Sequence, residues 1–374
     1  MTAGAMWRGG GILALLAAAA AFPLVFTNPL VTSYGVYAMI FAAAAGAWNI
    51  FSGFSGYISL GNAVFFGSGA YAVGIAARDW HMSGLAVFGL LPLAAAVAAV
   101  ISVPFGLVAL RVRRHTFIVV TIAVFFIFQL MAYNFPFTGG SSGLSAPFLN
   151  WRAATYNNPF YYIALAAAAG TTALAWLIRR SRFGLQLRAI RDDEDRARGL
   201  GVRPMPVKLA AFTVSAIITG LAGGLWFYFI TQVQPPSAFD PLFDLSIAVM
   251  AFLGGVGTVP GPVLGALLIE PGQLYLTQRF TNGYLSEILL GVLFLLVILL
   301  LPRGIIPAGS EKITAWRARR DRRAPAGAAG RDAGAGTAAG PPGATAQAAA
   351  AGPAERRQPP PPGGGAGAAG GRAP

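Results

Sequence analysis

The chain has 374 residues, of which 56% are hydrophobic and only 11% are charged, and its formal net charge is +14. Average soluble domains contain about 25% charged residues, so this composition, with a mean hydropathy of +0.62, excludes an ordinary soluble enzyme. The apolar residues occur in long runs rather than at every second position, which excludes an outer-membrane barrel. We therefore expect an all-α fold, a polytopic bundle of transmembrane helices.

Ten apolar segments follow one another along the chain. A helix that spans a bilayer needs about 20 apolar residues, and several segments have that length, so the sequence predicts about 8–10 spans. The eighth and ninth segments are short and flank the sequence GGVGTVPGP, so they form either two spans or one re-entrant unit. The segments lie near residues 10–26, 31–51, 58–77, 84–109, 116–133, 160–178, 207–231, 242–257, 262–279 and 284–301.

The segments and their connections divide the chain into five parts. These are an N-terminal segment with the first span (1–30), the N-terminal part of the membrane domain (31–178), a polar loop (179–206), the C-terminal part of the membrane domain (207–305) and a tail (317–374). The tail has no apolar side chain larger than that of alanine. Such a segment cannot offset its chain entropy by burial, so we expect the tail to be disordered.

The basic residues predict the orientation of the bundle. With ten spans and the N-terminus inside, 15 basic residues fall on the inside and three, Arg78, Arg152 and Arg279, on the outside. Loops rich in Lys and Arg stay on the cytoplasmic side of a membrane. We therefore expect both termini and the tail in the cytoplasm. Because Arg8 precedes an Ala-rich apolar run, a cleaved signal peptide is the alternative for the first segment.

The longest polar stretch between apolar segments runs from Arg179 to Lys208 and carries nine basic and four acidic residues. Its acids are contiguous at 192–195, and its apolar positions are Leu185, Leu187, Ile190 and Leu200. With a helix stop at Gly199–Gly201 and Pro204, this pattern predicts one or two short amphipathic helices. Two interpretations are open. The stretch is either a solvated loop whose arginines fix the topology or a docking surface for a cytoplasmic partner.

Four sequence motifs carry a resemblance to a known family. The stretch SRFGLQLRAIRDDEDRARGLGV (181–202) resembles the cytoplasmic signature of the membrane subunits of bacterial branched-chain amino acid ABC importers, LivM type. In the family's order, SLGNAVFFGSGAY (59–71), TGGSSGL (138–144) and MAFLGGVGTVPGPVLGALL (250–268) resemble three further motifs. A histidine more often occupies the position of Asn62, and the tail has no counterpart in the pattern.

The resemblance implies a multi-pass protein of the bacterial inner membrane with several partners. These partners are a second permease subunit in a heterodimer, two ABC ATPase subunits, a periplasmic substrate-binding protein and the lipid bilayer, without nucleic acid. The polar loop then supplies the coupling helix, which sits in a groove of the ATPase. The implied ATPase-coupling residues are Gly184, Arg188, Ala189, Ile190, Arg191, Asp192, Glu194, Leu200 and Gly201.

The chain cannot bind ATP through a P-loop of its own. It has no GxxxxGK[ST] motif, and neither of its two lysines, Lys208 and Lys312, follows a glycine. It also has no cysteine. We therefore expect a transporter subunit and not an enzyme, with no catalytic residue, metal site or bound cofactor. ATP and Mg²⁺ belong to the partner subunits.

The glycine-rich motifs are candidates for a translocation path. A break such as GGVGTVPGP leaves backbone polar groups free, and inside a membrane these groups must be buried in protein or line a cavity. The alternative is that small residues such as Gly220 and Gly224 only let helices pack closely. The acids Asp240, Asp244 and Glu270 are either functional or interfacial. The path candidates are Asn62, Thr138, Gly139, Gly140, Gly254, Gly255 and Gly257.

The sequence thus predicts a permease subunit that translocates branched-chain or related hydrophobic amino acids with energy from ATP. A permease for urea or short-chain amides, built on the same motifs, is the alternative within the family. A carrier that works without ATP is a second alternative. The small number of deep ionisable residues and the 30-residue polar stretch at 179–208 disfavour that carrier.

Overall fold

The computed structural model describes residues 15, 17–146, 155–279, 288, 291–292, 294–296, 299 and 304–307. The predicted tail lies outside these residues, and the predicted first and last spans lie partly outside them. The helices are α1 (17–25), α2 (Pro29–Trp48), α3 (Asn62–Asp79), α4 (Leu91–Ala109), α5 (Arg114–Asn134), α6 (Asn157–Arg180), α7 (Arg182–Asp192), α8 (Glu194–Gly199), α9 (Pro204–Ile230), α10 (Pro235–Ala238), α11 (Pro241–Gly254) and α12 (Gly261–Arg279).

Short irregular elements connect these helices. A π-helical turn, Asn49–Gly53, extends α2, and a 3₁₀ segment, Gly84–Leu90, leads into α4. Two further 3₁₀ turns, Pro136–Thr138 and Gly140–Ser142, follow α5. The strands β1 (Leu144–Ser145) and β2 (Gln232–Val233) pair antiparallel, with Leu144 opposite Val233 and Ser145 opposite Gln232.

Close packing of α9 against α3 forms the centre of the bundle. A Cβ atom added at Gly69 would lie within 3.0 Å of the Gly220 carbonyl oxygen, and one at Gly223 would lie as close to the Phe66 carbonyl oxygen. Only glycine permits backbones to approach this closely, which is how helices commonly associate in lipid. The packing role predicted for Gly220 is therefore confirmed.

Six helical stretches of the described chain are long and apolar enough to cross a membrane. They are Pro29–Gly53, Gly84–Ala109, Arg114–Asn134, Asn157–Arg180, Pro204–Ile230 and Pro235–Gly254. Helices α3 and α12 have 18 and 19 residues but contain more glycine and polar residues. The prediction of a polytopic helical bundle is confirmed, whereas the total of about 8–10 spans stays a prediction.

The GGVGTVPGP motif separates α11 from α12, as the sequence predicted. Helix α11 ends at Gly254, and α12 begins at Gly261. The two helices pack against each other, and a Cβ atom at Gly265 would lie within 3.0 Å of the Met250 carbonyl oxygen. The connection at 255–260 includes Gly255, whose φ of 120° is in the region that favours glycine.

Candidate functional site

The polar loop 179–206 contains α7 and α8, so the prediction of one or two short helices is confirmed. The Ser181 hydroxyl oxygen accepts a hydrogen bond from the Gly184 N–H at 3.2 Å and caps α7. The Asp193 carboxylate accepts from the N–H groups of Asp195 and Arg196, both at 3.0 Å, and caps α8. These bonds satisfy N–H groups that a helix leaves free in its first turn. We call residues 181–202, with both helices, the polar segment.

Two contacts fix α7 against the end of α6. A Cβ atom at Gly184 would lie within 3.0 Å of the Ile178 carbonyl oxygen, so the close approach requires glycine. The Arg188 guanidinium donates to the Arg179 carbonyl oxygen at 2.8 Å. Of the apolar residues of α7, Leu187 and Ile190 are fully buried against the bundle. The helix is therefore seated on the bundle along one face.

The C-terminal end of α7 is bonded to other parts of the bundle by two arginines. Arg114, the first residue of α5, donates to the carbonyl oxygens of Ile190 and Arg191 at 2.7 and 2.6 Å. Arg191 itself donates to the Gly53 carbonyl oxygen at 2.7 Å, and its guanidinium lies beside Gly257. Charged donors thus satisfy carbonyl groups at the ends of two helices.

Asn49 joins the two interrupted helical regions, which are the π-helical turn that follows α2 and the connection at 255–260 between α11 and α12. Its side-chain amide donates to the Thr258 carbonyl oxygen at 2.8 Å, and its side-chain oxygen accepts from the Gly257 N–H at 2.8 Å. The side chain is buried. The connection at 255–260 is therefore held against the π-helical turn at the same end of the bundle as the polar segment, which we call the polar end.

A cluster of three residues ties α8 to α9 and to the chain before α3. The Lys208 ammonium lies 2.9 Å from one Glu194 carboxylate oxygen and 3.1 Å from the Tyr57 hydroxyl oxygen. The Tyr57 hydroxyl donates to the other Glu194 oxygen. The ammonium also lies 4.3 Å from the centre of the Tyr57 ring, within cation–π range. We call Tyr57, Glu194 and Lys208 the Glu194 cluster.

The charges in this cluster hold the Glu194 carboxyl in its ionised form. Partial burial raises the pKa of Glu194, but hydrogen bonds from Tyr57 and Lys208 and the charges of Lys208 and Arg198 outweigh it. The pKa of Glu194 therefore lies below its ordinary value. Burial and the bond to Glu194 raise the pKa of the Tyr57 hydroxyl, which stays protonated as a donor.

The remaining coupling candidates are Ala189, Asp192, Leu200 and Gly201. Asp192 is exposed, and the apolar side chain of Leu200 is 85% exposed to solvent. Gly201 ends the segment with a φ of 87°, and Ala189 is half-buried. The polar segment thus has residues that are bonded to the bundle and exposed residues that include Asp192 and two leucines, Leu185 and Leu200.

The seven predicted path residues do not come together at one place. Gly254, Gly255 and Gly257 lie at the polar end. Thr138, whose hydroxyl donates to the Ala132 carbonyl oxygen at 2.7 Å, lies beyond the last residue of α5, at the opposite end. Gly139 and Gly140 follow it with φ of 80° and 58°.

Asn62 lies inside the bundle, where an acid of α11 caps α3. The Asp244 carboxylate accepts from the backbone N–H of Asn62 at 2.9 Å and from that of Ala63. Both Asn62 and Asp244 are buried. Neither polar atom of the Asn62 side chain has a hydrogen-bond partner among the described residues. Of the other two acids, Asp240 caps α11, and Glu270 is buried in α12.

Two open volumes differ in their linings. A groove of about 830 Å³ lies beside the polar segment and is lined by charged residues that include Arg111, Arg113, Asp192 and Asp195. A cavity of about 450 Å³ near Thr138 is lined mostly by apolar side chains. No group of three or more His, Cys, Asp or Glu side chains that could hold a metal ion occurs in the described part of the chain.

Sequence reasoning missed the inward partners of the polar segment. Arg114 and Lys208 were counted only as topology residues, and Tyr57 and Asn49 were not singled out. One signal was present for Lys208, because all but two of the 27 basic residues of the chain are arginines. A lysine at the start of a long apolar helix in such a chain indicates a site that requires an ammonium.

Comparisons with known proteins agree with the resemblance. A family model described as "Branched-chain amino acid transport system / permease component" matches residues 30–298. LivM, the high-affinity branched-chain amino acid transport system permease protein of Salmonella typhimurium strain LT2, is 30% identical over 327 residues, which cover 79% of this chain and 74% of LivM. LivM of Escherichia coli strain K12 is 29% identical with the same coverage.

A second permease protein of such systems is similar over a shorter range. LivH of Salmonella typhimurium strain LT2 is 29% identical over 134 residues, which cover 36% of this chain and 42% of LivH. No solved structure matches the chain. The match over residues 30–298 and the similarity to LivM show that this chain is a multi-pass membrane protein that belongs to the permease family of branched-chain amino acid transport systems.

Proposed function

We propose that this chain is the membrane-spanning permease subunit of an ATP-driven importer for branched-chain or related hydrophobic amino acids in a bacterial inner membrane. The observation that carries the proposal is the polar segment, which is seated on the bundle by Gly184 and leaves Leu200 and Asp192 exposed. A segment that is bonded to the bundle and also has exposed residues can contact a cytoplasmic ATPase and be displaced by it. The family membership supports the substrate class.

The exposed face of the polar segment is the proposed contact with the ATPase. Leu200 supplies an apolar contact, and Arg188, Asp192 and the neighbouring charges steer the approach and set the register. ATP and Mg²⁺ bind to the two ATPase subunits. The other partners are a second permease, because similar systems include both LivM and LivH proteins, and a periplasmic binding protein that delivers the substrate.

The predicted path residues mark three successive levels of the proposed route. Thr138, Gly139 and Gly140 are near the periplasmic entrance, Asn62 is inside the bundle, and the glycines of 254–257 are near the cytoplasmic exit. The Asn62 side chain is buried and has no hydrogen-bond partner among the described residues. This supports the proposal that its polar atoms line the route inside the otherwise apolar bundle.

Reconstitution with the second permease, both ATPases and the binding protein tests this function. Proteoliposomes should take up labelled leucine, isoleucine or valine only when the ATPases have ATP. Uptake of urea without uptake of leucine would select the alternative within the family, and leucine uptake without ATP would select a carrier.

Reporter fusions test the orientation separately. A fusion after Pro204 should report cytoplasm, and one after Gly143 should report periplasm. A periplasmic signal at Pro204 would remove the ATPase contact from the proposal.

A further inference from the structure

We infer that Tyr57, Glu194 and Lys208 are positioning residues that transmit displacement of the polar segment into the bundle; this inference rests on the proposed function. The side chains of Lys208 and Glu194 are mostly buried, at 4% and 21% exposure, and the three residues line the groove beside the polar segment together with Asp192. They bond α8 to α9 and to the chain that precedes α3. Contact with an ATPase does not require such bonds, so the cluster has a separate task.

Because Lys208 is buried, the bonds between Lys208, Glu194 and Tyr57 are costly to break. Lys208 is only 3% exposed, and a buried ammonium must be paired and hydrogen-bonded because it has lost its hydration. Glu194 and Tyr57 supply these partners. If the polar segment moved away alone, it would leave the ammonium unpaired. The segment and the first turns of α9 are therefore expected to move together.

The residue type at position 208 fits this role better than arginine would. A lysine ammonium is a compact charge, whereas a guanidinium is a planar fork that favours bidentate partners. The ammonium here contacts a carboxylate oxygen, a hydroxyl oxygen and a ring face at once. By contrast, Arg196 and Arg198 pair with acids of α8 while they are 87% and 63% exposed, and exposed pairs contribute little.

The cluster acts on elements that continue to the centre of the bundle. Helix α9 packs against α3 through the backbone contacts at Gly69, Gly220 and Gly223, which permit little sliding. Arg191 provides a second connection to the π-helical turn, and Asn49 extends it to the connection at 255–260. Displacement of the polar segment is therefore transmitted to the π-helical turn and to the connection at 255–260.

The test compares transport with ATP use in the reconstituted complex. In the variants Glu194→Gln and Lys208→Met we expect the ATPases to co-purify as with the wild type. The ATP hydrolysed per amino acid imported should rise about tenfold, within the range of roughly 5–150-fold that coupling between sites covers. The matched control is Asp79→Asn, which makes the same charge change in an exposed ion pair at the opposite end of the bundle.

Two further variants separate transmission from stability. Tyr57→Phe keeps the ring but removes the hydroxyl, and should raise the ATP cost less than Glu194→Gln does. The exchanged pair Glu194→Lys with Lys208→Glu restores opposite charges and should recover part of the coupling. If every variant kept the wild-type ratio of ATP to substrate, or if Glu194→Gln lost the ATPases together with transport, the inference would be wrong.

A measurement on the full-length permease alone keeps the inference separate from the proposed function. In Glu194→Gln, hydrogen exchange should accelerate at 54–61 and in the first turns of α9, while Asp79→Asn should leave both unchanged. If the wild-type complex imported no amino acid, the proposed function would fail whatever the variants did. Unchanged exchange in Glu194→Gln would contradict the linkage itself.

Discussion

The two ends of the bundle hold their glycine-rich connections in different ways. At the polar end, side chains that are distant in sequence hold the connection at 255–260, through Asn49 and Arg191. At the opposite end, a backbone ladder between Leu144 and Val233 holds the connection after α5, and the side chains of Thr138 and Arg78 add hydrogen bonds to it. Side chains can exchange partners without a change of fold, whereas backbone contacts cannot. Adjustable bonding is thus concentrated at the end where the proposed ATPase contact lies.

The largest effect is expected at the opposite end, from Gly143→Val. Gly143 has a φ of 73°, and an added Cβ atom would lie within 3.0 Å of the Val233 carbonyl oxygen. Backbone strain of this kind costs about 1–3 kcal/mol before any clash is counted, so the protein should accumulate poorly in the membrane and melt earlier in detergent. Gly170→Ala is the control, because nothing lies within 4 Å of the added atom. Normal accumulation of Gly143→Val would contradict the backbone-held description of this end.

Gly184→Leu tests the seat of the polar segment. The new side chain would push α7 away from the end of α6, where the Ile178 carbonyl oxygen leaves no room. Because Gly184 lies outside the six candidate spans, membrane accumulation should stay near that of the wild type, while co-purification of the ATPases and uptake fall together. Gly272→Leu is the control at an open position that lies outside both the polar segment and the six candidate spans. If Gly184→Leu kept the ATPases, the polar segment would be no more than a topology anchor.

Asn49→Leu tests the side chain that joins the two interrupted regions. The substitution leaves the Gly257 N–H and the Thr258 carbonyl group without their partners. Both residues are half-buried, so the cost lies below the roughly 1–3 kcal/mol of a fully buried unpaired group. Thermal unfolding should therefore shift downward, and hydrogen exchange should rise at 255–260 but not in the ladder at the opposite end. Asn134→Ala, at an exposed side chain, should change stability by less than about 0.5 kcal/mol. An unchanged exchange rate at 255–260 would show that Asn49 does not hold this connection.

The sequence predicted local structure better than it predicted these connections. The glycines of GGVGTVPGP and the apolar positions of the polar segment indicated a helix break and short helices that the structure contains, since both signals depend on neighbouring residues. Of the four apolar positions, the structure buries Leu187 and Ile190 but exposes Leu185 and Leu200. The bond between Asn49 and Gly257 spans 208 residues, and that between Tyr57 and Lys208 spans 151. No periodicity of a single sequence encodes contacts at such separations. The contacts at the polar end could therefore be identified only from the folded structure.

The smallest effect is a dependence on pH confined to the polar end. The pKa of Glu194 is lowered in the folded protein, because the bonds from Tyr57 and Lys208 outweigh burial. A lowered pKa contributes stability above the ordinary pKa of the group, and that stability is lost as the pH falls through the folded value. Hydrogen-exchange protection at 54–61, corrected for the intrinsic rate, should therefore decline as the pH is lowered below about 4.5.

Two comparisons isolate the contribution of Glu194 to that decline. The pKa of Asp193 is also lowered, by hydrogen bonds from the backbone N–H groups of Arg196 and Asp195, so protection within α8 should fall in the same pH window for a second reason. Glu194→Gln should remove the pH dependence at 54–61, because the hydrogen bonds and the ion pair of Asp193 go to Asp195 and Arg196 and not to that stretch. The part within α8 should remain. Protection at 136–145 should not follow either change, because backbone contacts hold that end. If protection declined in parallel at 54–61 and at 136–145, acid would destabilise the whole bundle. The pH dependence would then not be specific to the polar end.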